Sequence, residues 1–132
     1  MVDFRLDGKV AVITGGCQGL GLEFARSLAK AGASVAVTSR DAQKAKESAD
    51  AIRGETGRDA LAIAVDVTDS VQIGRMVEEV VGTFGRLDIL VNNAGVNIRK
   101  PILEYDELSW DLVQNTNLKA PFFCARKRWP RR

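Results

Sequence analysis

The chain has 132 residues, of which 45% are hydrophobic and 27% charged, with a formal net charge of +2. These values predict one globular domain with one core and exclude a disordered or fibrous chain. No histidine is present, which excludes histidine-based metal sites and Ser-His nucleophiles, and Cys17 and Cys124 have no disulfide or zinc spacing. Neither a signal-peptide core nor an apolar run of membrane-spanning length is present, so we expect a cytoplasmic protein with no metal and no membrane partner.

Short apolar segments alternate with helical patterns along the chain. Continuous apolar runs are typical of strands buried on both faces, and their alternation with helices predicts an α/β fold with a parallel sheet and right-handed crossovers. Gly85 is a natural helix stop, and Asp41 and Thr68 are predicted N-caps. The predicted strands are Lys9–Ile13, Ser34–Thr38, Leu61–Val65 and Asp88–Val91. The predicted helices are Leu22–Gly32, Asp41–Arg53, Thr68–Phe84 and one from Asp106 to about Ala125.

The last predicted helix contains Pro121, and its stripe includes Trp110 and Val113. Proline has no N–H, so it cannot donate to the carbonyl of Asn117, four residues earlier. We therefore predict a kink at this point and a free carbonyl on Asn117.

The segment TGGCQGLG, Thr14–Gly21, joins the first strand to the first helix. Gly15, Gly19 and Gly21 permit a tight turn and a close approach of the backbone to a ligand. The first turn of the helix then presents N–H groups and the positive end of its dipole. A glycine loop in this position predicts a pyrophosphate-binding site.

The chain resembles the short-chain dehydrogenases/reductases from Phe4 to about Ala125. Four motifs in order carry the resemblance: the Thr14–Gly21 loop, Asp66 within DVTD, NNAG at Asn92–Gly95, and SWDLVQNTNLKAPFF at Ser109–Phe123. The resemblance implies an α/β, Rossmann-type doubly wound parallel sheet in the order 3-2-1-4, truncated after about four strands. It places an NAD(P)-binding domain at residues 1–125.

The resemblance also implies roles for individual residues. The glycine loop would hold the pyrophosphate of a nicotinamide cofactor, and Asp66 with Val67 would meet the adenine ring. Asn117 would be the catalytic asparagine, whose main-chain carbonyl holds a water in the proton relay. The loop residues concerned are Thr14, Gly15, Gly19, Leu20 and Gly21, and those lining the adenosine side are Asn92, Asn93, Ala94 and Gly95.

The end of the second strand indicates which cofactor is bound. Enzymes that use NAD carry an acid there for the ribose 2′-hydroxyl, whereas this chain has Ser39 and Arg40. A guanidinium can pair with a 2′-phosphate that a carboxylate would repel. We therefore predict NADP in preference to NAD. Asp41 is interpreted as an N-cap and not as the acid that binds the ribose.

Several motifs have a structural alternative. Asp66 could cap the following helix, and Asn92 and Asn93 could serve the turn while also meeting the cofactor. Cys17 is interpreted as a small tolerated side chain and not as a redox centre. The basic run RKRWPRR could suggest nucleic acid, but no fold supports it, so no nucleic-acid partner is expected.

Three residues of the family's chemistry are missing from this sequence: a serine after strand five, and the tyrosine and lysine of YxxxK. The tyrosine is the general acid/base, and the lysine lowers its pKa. The one tyrosine, Tyr105, is followed four residues later by Ser109. Residues 126–132 are interpreted as a basic tail, either real or translated out of frame. We expect this chain to be inactive by itself.

The segment VNIRKP, Val96–Pro101, is similar to that of 3-oxoacyl carrier-protein reductases and gluconate 5-dehydrogenase-like members. Complete relatives transfer a hydride between nicotinamide C4 and a small-molecule carbonyl or secondary alcohol, and they are homo-oligomers.

In this chain the fourth strand would be an uncovered edge, which predicts an association-prone chain. Side chains expected to face water are Trp110, Val113, Phe122 and Phe123. The alternatives are a non-catalytic nucleotide-binding fragment and one that does not fold alone.

Overall fold

The computed structural model describes residues 3–126. Four parallel strands form one sheet in the order β3-β2-β1-β4. This order confirms the predicted Rossmann-type doubly wound sheet that stops after four strands. The strands are β1 (Val10–Thr14), β2 (Ser34–Ser39), β3 (Ala60–Ala64) and β4 (Ile89–Asn92).

Helices cover both faces of the sheet. On one face, alternate β1 residues such as Ala11 and Ile13 share a buried cluster with the first two helices. On the other face, Val10 and Val12 share a buried cluster with the third helix and the last one described. The helices are α1 (Gly19–Lys30), α2 (Ala42–Thr56), α3 (Ser70–Phe84), α4 (Glu107–Gln114) and α5 (Ala120–Arg126). A 3₁₀ turn, Ile102–Glu104, precedes α4.

The sheet order changes direction at β1. From β1 the chain runs outward through β2 and β3, and it then returns to place β4 on the other side. The register aligns the carboxyl ends of the central pair, with Thr14 opposite Asn92. In open α/β sheets, ligands bind outside the carboxyl ends of the strands at such a switch point.

The helix caps confirm one prediction and correct another. The Asp41 carboxylate accepts hydrogen bonds from the N–H groups of Gln43 and Lys44, so it is the N-cap of α2 as predicted. The predicted N-cap Thr68 is wrong, because Asp69 accepts the first-turn N–H groups of α3. The Thr68 hydroxyl instead donates to the Asp66 carboxylate.

A π-helical turn, Asn115–Lys119, connects α4 to α5. The N–H of Ala120 donates to the carbonyl of Asn115, five residues earlier, and Pro121 follows directly. A widened turn therefore lies next to the position where a kink is predicted, and the free carbonyl on Asn117 stays a prediction.

Side-chain exposure along α4 and α5 corrects part of the prediction that their apolar residues face water. Trp110 and Phe122 are 57% and 59% exposed, as expected for apolar side chains that face water. The prediction is wrong for Val113 and Phe123, which are both half-buried. Phe123 packs against the cluster that includes α3, because the backbone turns this side of α5 toward the sheet.

Residues 127–132, and with them most of the predicted basic tail, lie outside the described part of the chain. None of the helices within residues 3–126 combines the length and the apolar character that crossing a membrane requires.

Candidate functional site

A cleft of about 440 Å³ lies at the carboxyl edge of the sheet, on the side predicted from the topology. Loops after all four strands line it, together with Thr116 from the π-helical turn. Many of the predicted site residues meet in this cleft. They are Gly15, Gly19, Ser39, Arg40, Asp66, Val67, Asn93, Ala94 and Gly95.

Four predicted cofactor residues lie outside the lining: Thr14, Leu20, Gly21 and Asn92, the last residue of β4. Thr14 is only 2% exposed and lies beneath the cleft. Its hydroxyl oxygen accepts hydrogen bonds from the N–H groups of Asn93 (3.1 Å) and Ala94 (3.2 Å), so it ties the end of β1 to the loop after β4. Gly21 is buried, and Leu20 is 65% exposed outside the lining.

Gly21 is a glycine because of how tightly α1 approaches the glycine loop. A Cβ atom at this position would lie 2.3 Å from Asn93 Nδ2 and 2.4 Å from the carbonyl oxygen of Gly15. Those two atoms are hydrogen bonded to each other at 3.0 Å. Gly15 itself has a φ of +63° and faces the Ala94 backbone, where a Cβ would also clash. The two glycines thus let the loop and the NNAG turn form one compact floor.

The first turn of α1 has no side-chain cap. Gln18, its N-cap, makes no capping hydrogen bond, and no acidic residue stands in the first turn. The N-termini of α2, α3 and α4 differ, since each is capped by an aspartate: Asp41, Asp69 and Asp106. The N–H groups at the start of α1 are therefore open to a ligand that supplies negative charge.

The end of β2 places two cations in the cleft. Arg40 and Lys44 both line it, and both are exposed. The Ser39 hydroxyl accepts a hydrogen bond from the N–H of Asp41 at 3.1 Å, which shapes the turn into α2. Sequence reasoning missed Lys44, although its place three residues after a predicted N-cap could have signalled a side chain near the strand end.

Asp66 is held in a defined position after β3. Its Oδ1 accepts hydrogen bonds from the Thr68 hydroxyl (2.6 Å) and the Thr68 N–H (2.9 Å), and Gln72 Oε1 accepts from the Asp66 N–H. The Thr68 hydrogen bonds, with a smaller contribution from the charge of Arg40, lower the pKa of Asp66 below its ordinary value. The alternative that Asp66 caps α3 is wrong, because Asp69 does so.

Asn117 lies beside the cleft and not in its lining. Its side chain forms a reciprocal pair with the main chain of Val96: Nδ2 donates to the carbonyl at 2.7 Å, and Oδ1 accepts from the N–H at 2.8 Å. Gly95 packs closely here, because a Cβ would lie 3.3 Å from Asn117 Oδ1. Through Asn117 the π-helical turn is thus attached to the loop after β4.

Cys17 lines the cleft, but its environment does not activate the thiol. Burial raises the pKa of Cys17, and its sulfur lies 3.5 Å from the carbonyl oxygen of Thr38. A protonated, half-buried thiol is a poor nucleophile, which supports its interpretation as a tolerated small side chain. Residues 3–126 contain no cluster of three or more histidine, cysteine or acidic side chains arranged to hold a metal.

Known proteins with similar sequences and folds are oxidoreductases. The chain is 43% identical to a hydroxynaphthalene reductase-like protein Arp2 of Metarhizium robertsii and 44% identical to galactitol 2-dehydrogenase of Agrobacterium fabrum, each over 122 residues. These matches cover 92% of this chain but 45% and 46% of the relatives. The chain thus spans about half the length of the curated relatives that it matches.

The fold comparison agrees. The crystal structure of L-sorbose reductase from Gluconobacter frateurii, complexed with NADPH and L-sorbose, superposes with a TM-score of 0.90 at 36% identity. That match covers 95% of this chain and 48% of the reductase. A family model for short chain dehydrogenases matches residues 9–131. The chain therefore belongs to the short-chain dehydrogenase/reductase family.

Proposed function

We propose that the cleft binds NADP(H), in preference to NAD(H), as the cofactor half of a short-chain oxidoreductase. The observation that carries this proposal is the pairing of an uncapped α1 N-terminus with a cationic strand end at β2. The first suits a pyrophosphate and the second a 2′-phosphate. The NADPH complex of the sorbose reductase, a relative of the same fold, supports the choice.

The residues present fit such a cofactor. The absence of side chains at Gly15 and Gly21 lets the glycine loop pack directly on Asn93 and Ala94, which gives the cleft a compact floor. Gly19 has a φ of +53°, and no atom lies within 4 Å of the position that a Cβ would occupy there, so this part of the loop stays open toward a ligand. The loop can therefore admit phosphate groups close to its backbone.

We assign the residues as follows. Gly15, Gly19 and the first turn of α1 hold the pyrophosphate, and Leu20 and Gly21 contribute through their backbone positions in that turn. Thr14 acts from below by fixing the Asn93–Ala94 turn. Ser39 and Arg40 meet the 2′-phosphate, Asp66 and Val67 the adenine, and Asn93, Ala94 and Gly95 the adenosine side.

In a complete relative, such a cofactor would supply a hydride to a carbonyl or accept one from a secondary alcohol. In that chemistry the main-chain carbonyl of Asn117, to which Pro121 has no N–H to donate, would hold a water of the proton relay. Its side chain keeps that segment attached to Val96. The 132 residues contain no YxxxK, so we propose that this chain binds cofactor without turning substrate over at a family-like rate.

Two measurements on the 132-residue chain test this function. Thermal unfolding with NADP⁺ and with NAD⁺ should show a larger rise in Tm with NADP⁺, because a ligand stabilises the state that it binds. NADPH oxidation with a simple ketone should stay at background. No shift with either cofactor would contradict the binding proposal and favour a fragment that does not fold alone, whereas steady turnover would contradict the claim of inactivity.

A further inference from the structure

Lys44 is the one cation of the cleft lining, besides Arg40, among the residues that the structure describes. It lies in the first turn of α2, where its N–H donates to the Asp41 cap at 3.2 Å. Within residues 3–126 its ammonium has no ion-pair partner within 4.0 Å. Lys46, on the same helix, lies outside the lining and pairs with Asp50 at 4.0 Å.

The charge balance of the cleft indicates what Lys44 does there. The charged residues of the lining are Arg40, Lys44, Asp41 and Asp66, so their formal charges sum to zero. The positive charge of Arg40 also stabilises the charged form of the neighbouring Asp66 carboxylate. Without Lys44 the sum becomes −1, which would repel a phosphate that carries between one and two negative charges at neutral pH.

We infer that Lys44 is a second specificity determinant, which acts with Arg40 to select a 2′-phosphorylated adenosine over an unphosphorylated one. This inference rests on the proposed NADP(H) site, and it names a further residue that recognises the 2′-phosphate. The ammonium is a compact charge on a flexible stem, so it can follow a phosphate that the planar Arg40 guanidinium binds from another side. Its position on the first turn of a capped helix directs it to the same end of the sheet.

The test measures binding of two small probes to the complete 132-residue chain by isothermal titration calorimetry. Adenosine 2′,5′-bisphosphate carries the 2′-phosphate, and 5′-AMP lacks it. Lys44→Met should weaken the bisphosphate by roughly threefold to tenfold and change 5′-AMP by less than about twofold, as expected for one solvent-exposed charge pair. Lys44→Arg should keep most of the affinity, and Lys46→Met is the matched control. The loss should shrink as salt rises toward about 1 M.

The outcomes separate this inference from the function on which it rests. If Lys44→Met binds the bisphosphate as tightly as Lys46→Met does, while Arg40→Ile still weakens it, the role of Lys44 is wrong and the NADP(H) site stands. If Lys44→Met weakens both probes equally, the residue does not read the 2′-phosphate and the inference also fails. If the unaltered chain binds neither probe, both the inference and the proposed function are wrong.

Discussion

The Asn117 side chain and the Val96 main chain satisfy each other through two hydrogen bonds of 2.7 and 2.8 Å. This pair attaches the π-helical turn to the loop that follows β4, and so it joins the last helical path of the chain to the wall of the cleft. The asparagine therefore has a structural role in addition to the carbonyl role that we propose for it.

Replacing Asn117 with alanine should remove both bonds. We expect the free energy of unfolding to fall by about 1 kcal/mol, because each bond contributes modestly when it is exposed to water. Urea unfolding followed by circular dichroism measures the change. Asn97→Ala is the control, since Asn97 is an exposed neighbour with no hydrogen bond to any described residue. Equal unfolding midpoints for the two variants would contradict the anchoring role of Asn117.

Gly21 and Gly82 form a matched pair for testing the packing of the glycine loop. Alanine at Gly21 would force its Cβ against Asn93 and the Gly15 carbonyl, which should destabilise the chain by about 1–3 kcal/mol and abolish cofactor binding. Alanine at Gly82, which lies within α3 with no atom in reach, should stabilise the chain by up to about 1 kcal/mol. Urea unfolding measures both changes in stability. A Gly21→Ala chain as stable as the unaltered one would refute the close approach of Gly21 to Asn93.

The neighbours Phe122 and Phe123 should respond differently to truncation. Phe123 packs against the buried cluster that includes α3, so Phe123→Ala should lower the free energy of unfolding by about 2 kcal/mol. Phe122 is 59% exposed, and its ring lies perpendicular to the Phe123 ring with 5.3 Å between the centroids. Phe122→Ala should change stability by less than about 1 kcal/mol. Urea unfolding of both variants measures the difference, and equal losses would contradict the burial of Phe123.

Exposed apolar side chains of α4 and α5 also bear on association. Trp110 and Phe122 leave large apolar surfaces in water, and β4 has a neighbouring strand on only one side of the described sheet. We predict concentration-dependent association in size-exclusion chromatography with light scattering. Trp110→Gln combined with Phe122→Gln should reduce it. A sharp monomer peak for the unaltered chain would contradict this prediction.

Much of the fold was predictable because it depends on local patterns. The apolar runs and the helical periods between them are sufficient for the strand order, once the motifs identify the family. Asp41 was recognisable as a cap because it directly precedes a helical pattern. Thr68 and Asp69 are both good capping residues, and the sequence does not show that the Thr68 hydroxyl donates to Asp66 while Asp69 accepts from the Val71 N–H.

The site was harder to predict, because membership of the cleft depends on the direction of side chains in three dimensions. Thr14 belongs to the glycine motif in sequence, yet its hydroxyl is used beneath the cleft. Lys44 belongs to no motif, yet the start of α2 brings it to the strand ends. Motifs indicate which loops form the floor, whereas the packing of helices on the sheet decides which side chains face the ligand.

The central claim is that the end of β2 reads the 2′-phosphate of NADP(H), and a direct measurement compares the Kd values of NADP⁺ and NAD⁺ before and after the double substitution Ser39→Asp with Arg40→Ile. The unaltered chain should bind NADP⁺ more tightly by about tenfold or more, as expected for a charge-assisted phosphate contact. The double variant should bind NAD⁺ more tightly, because a carboxylate accepts from the 2′-hydroxyl and repels the phosphate. The same ratio of Kd values in both proteins would contradict the account.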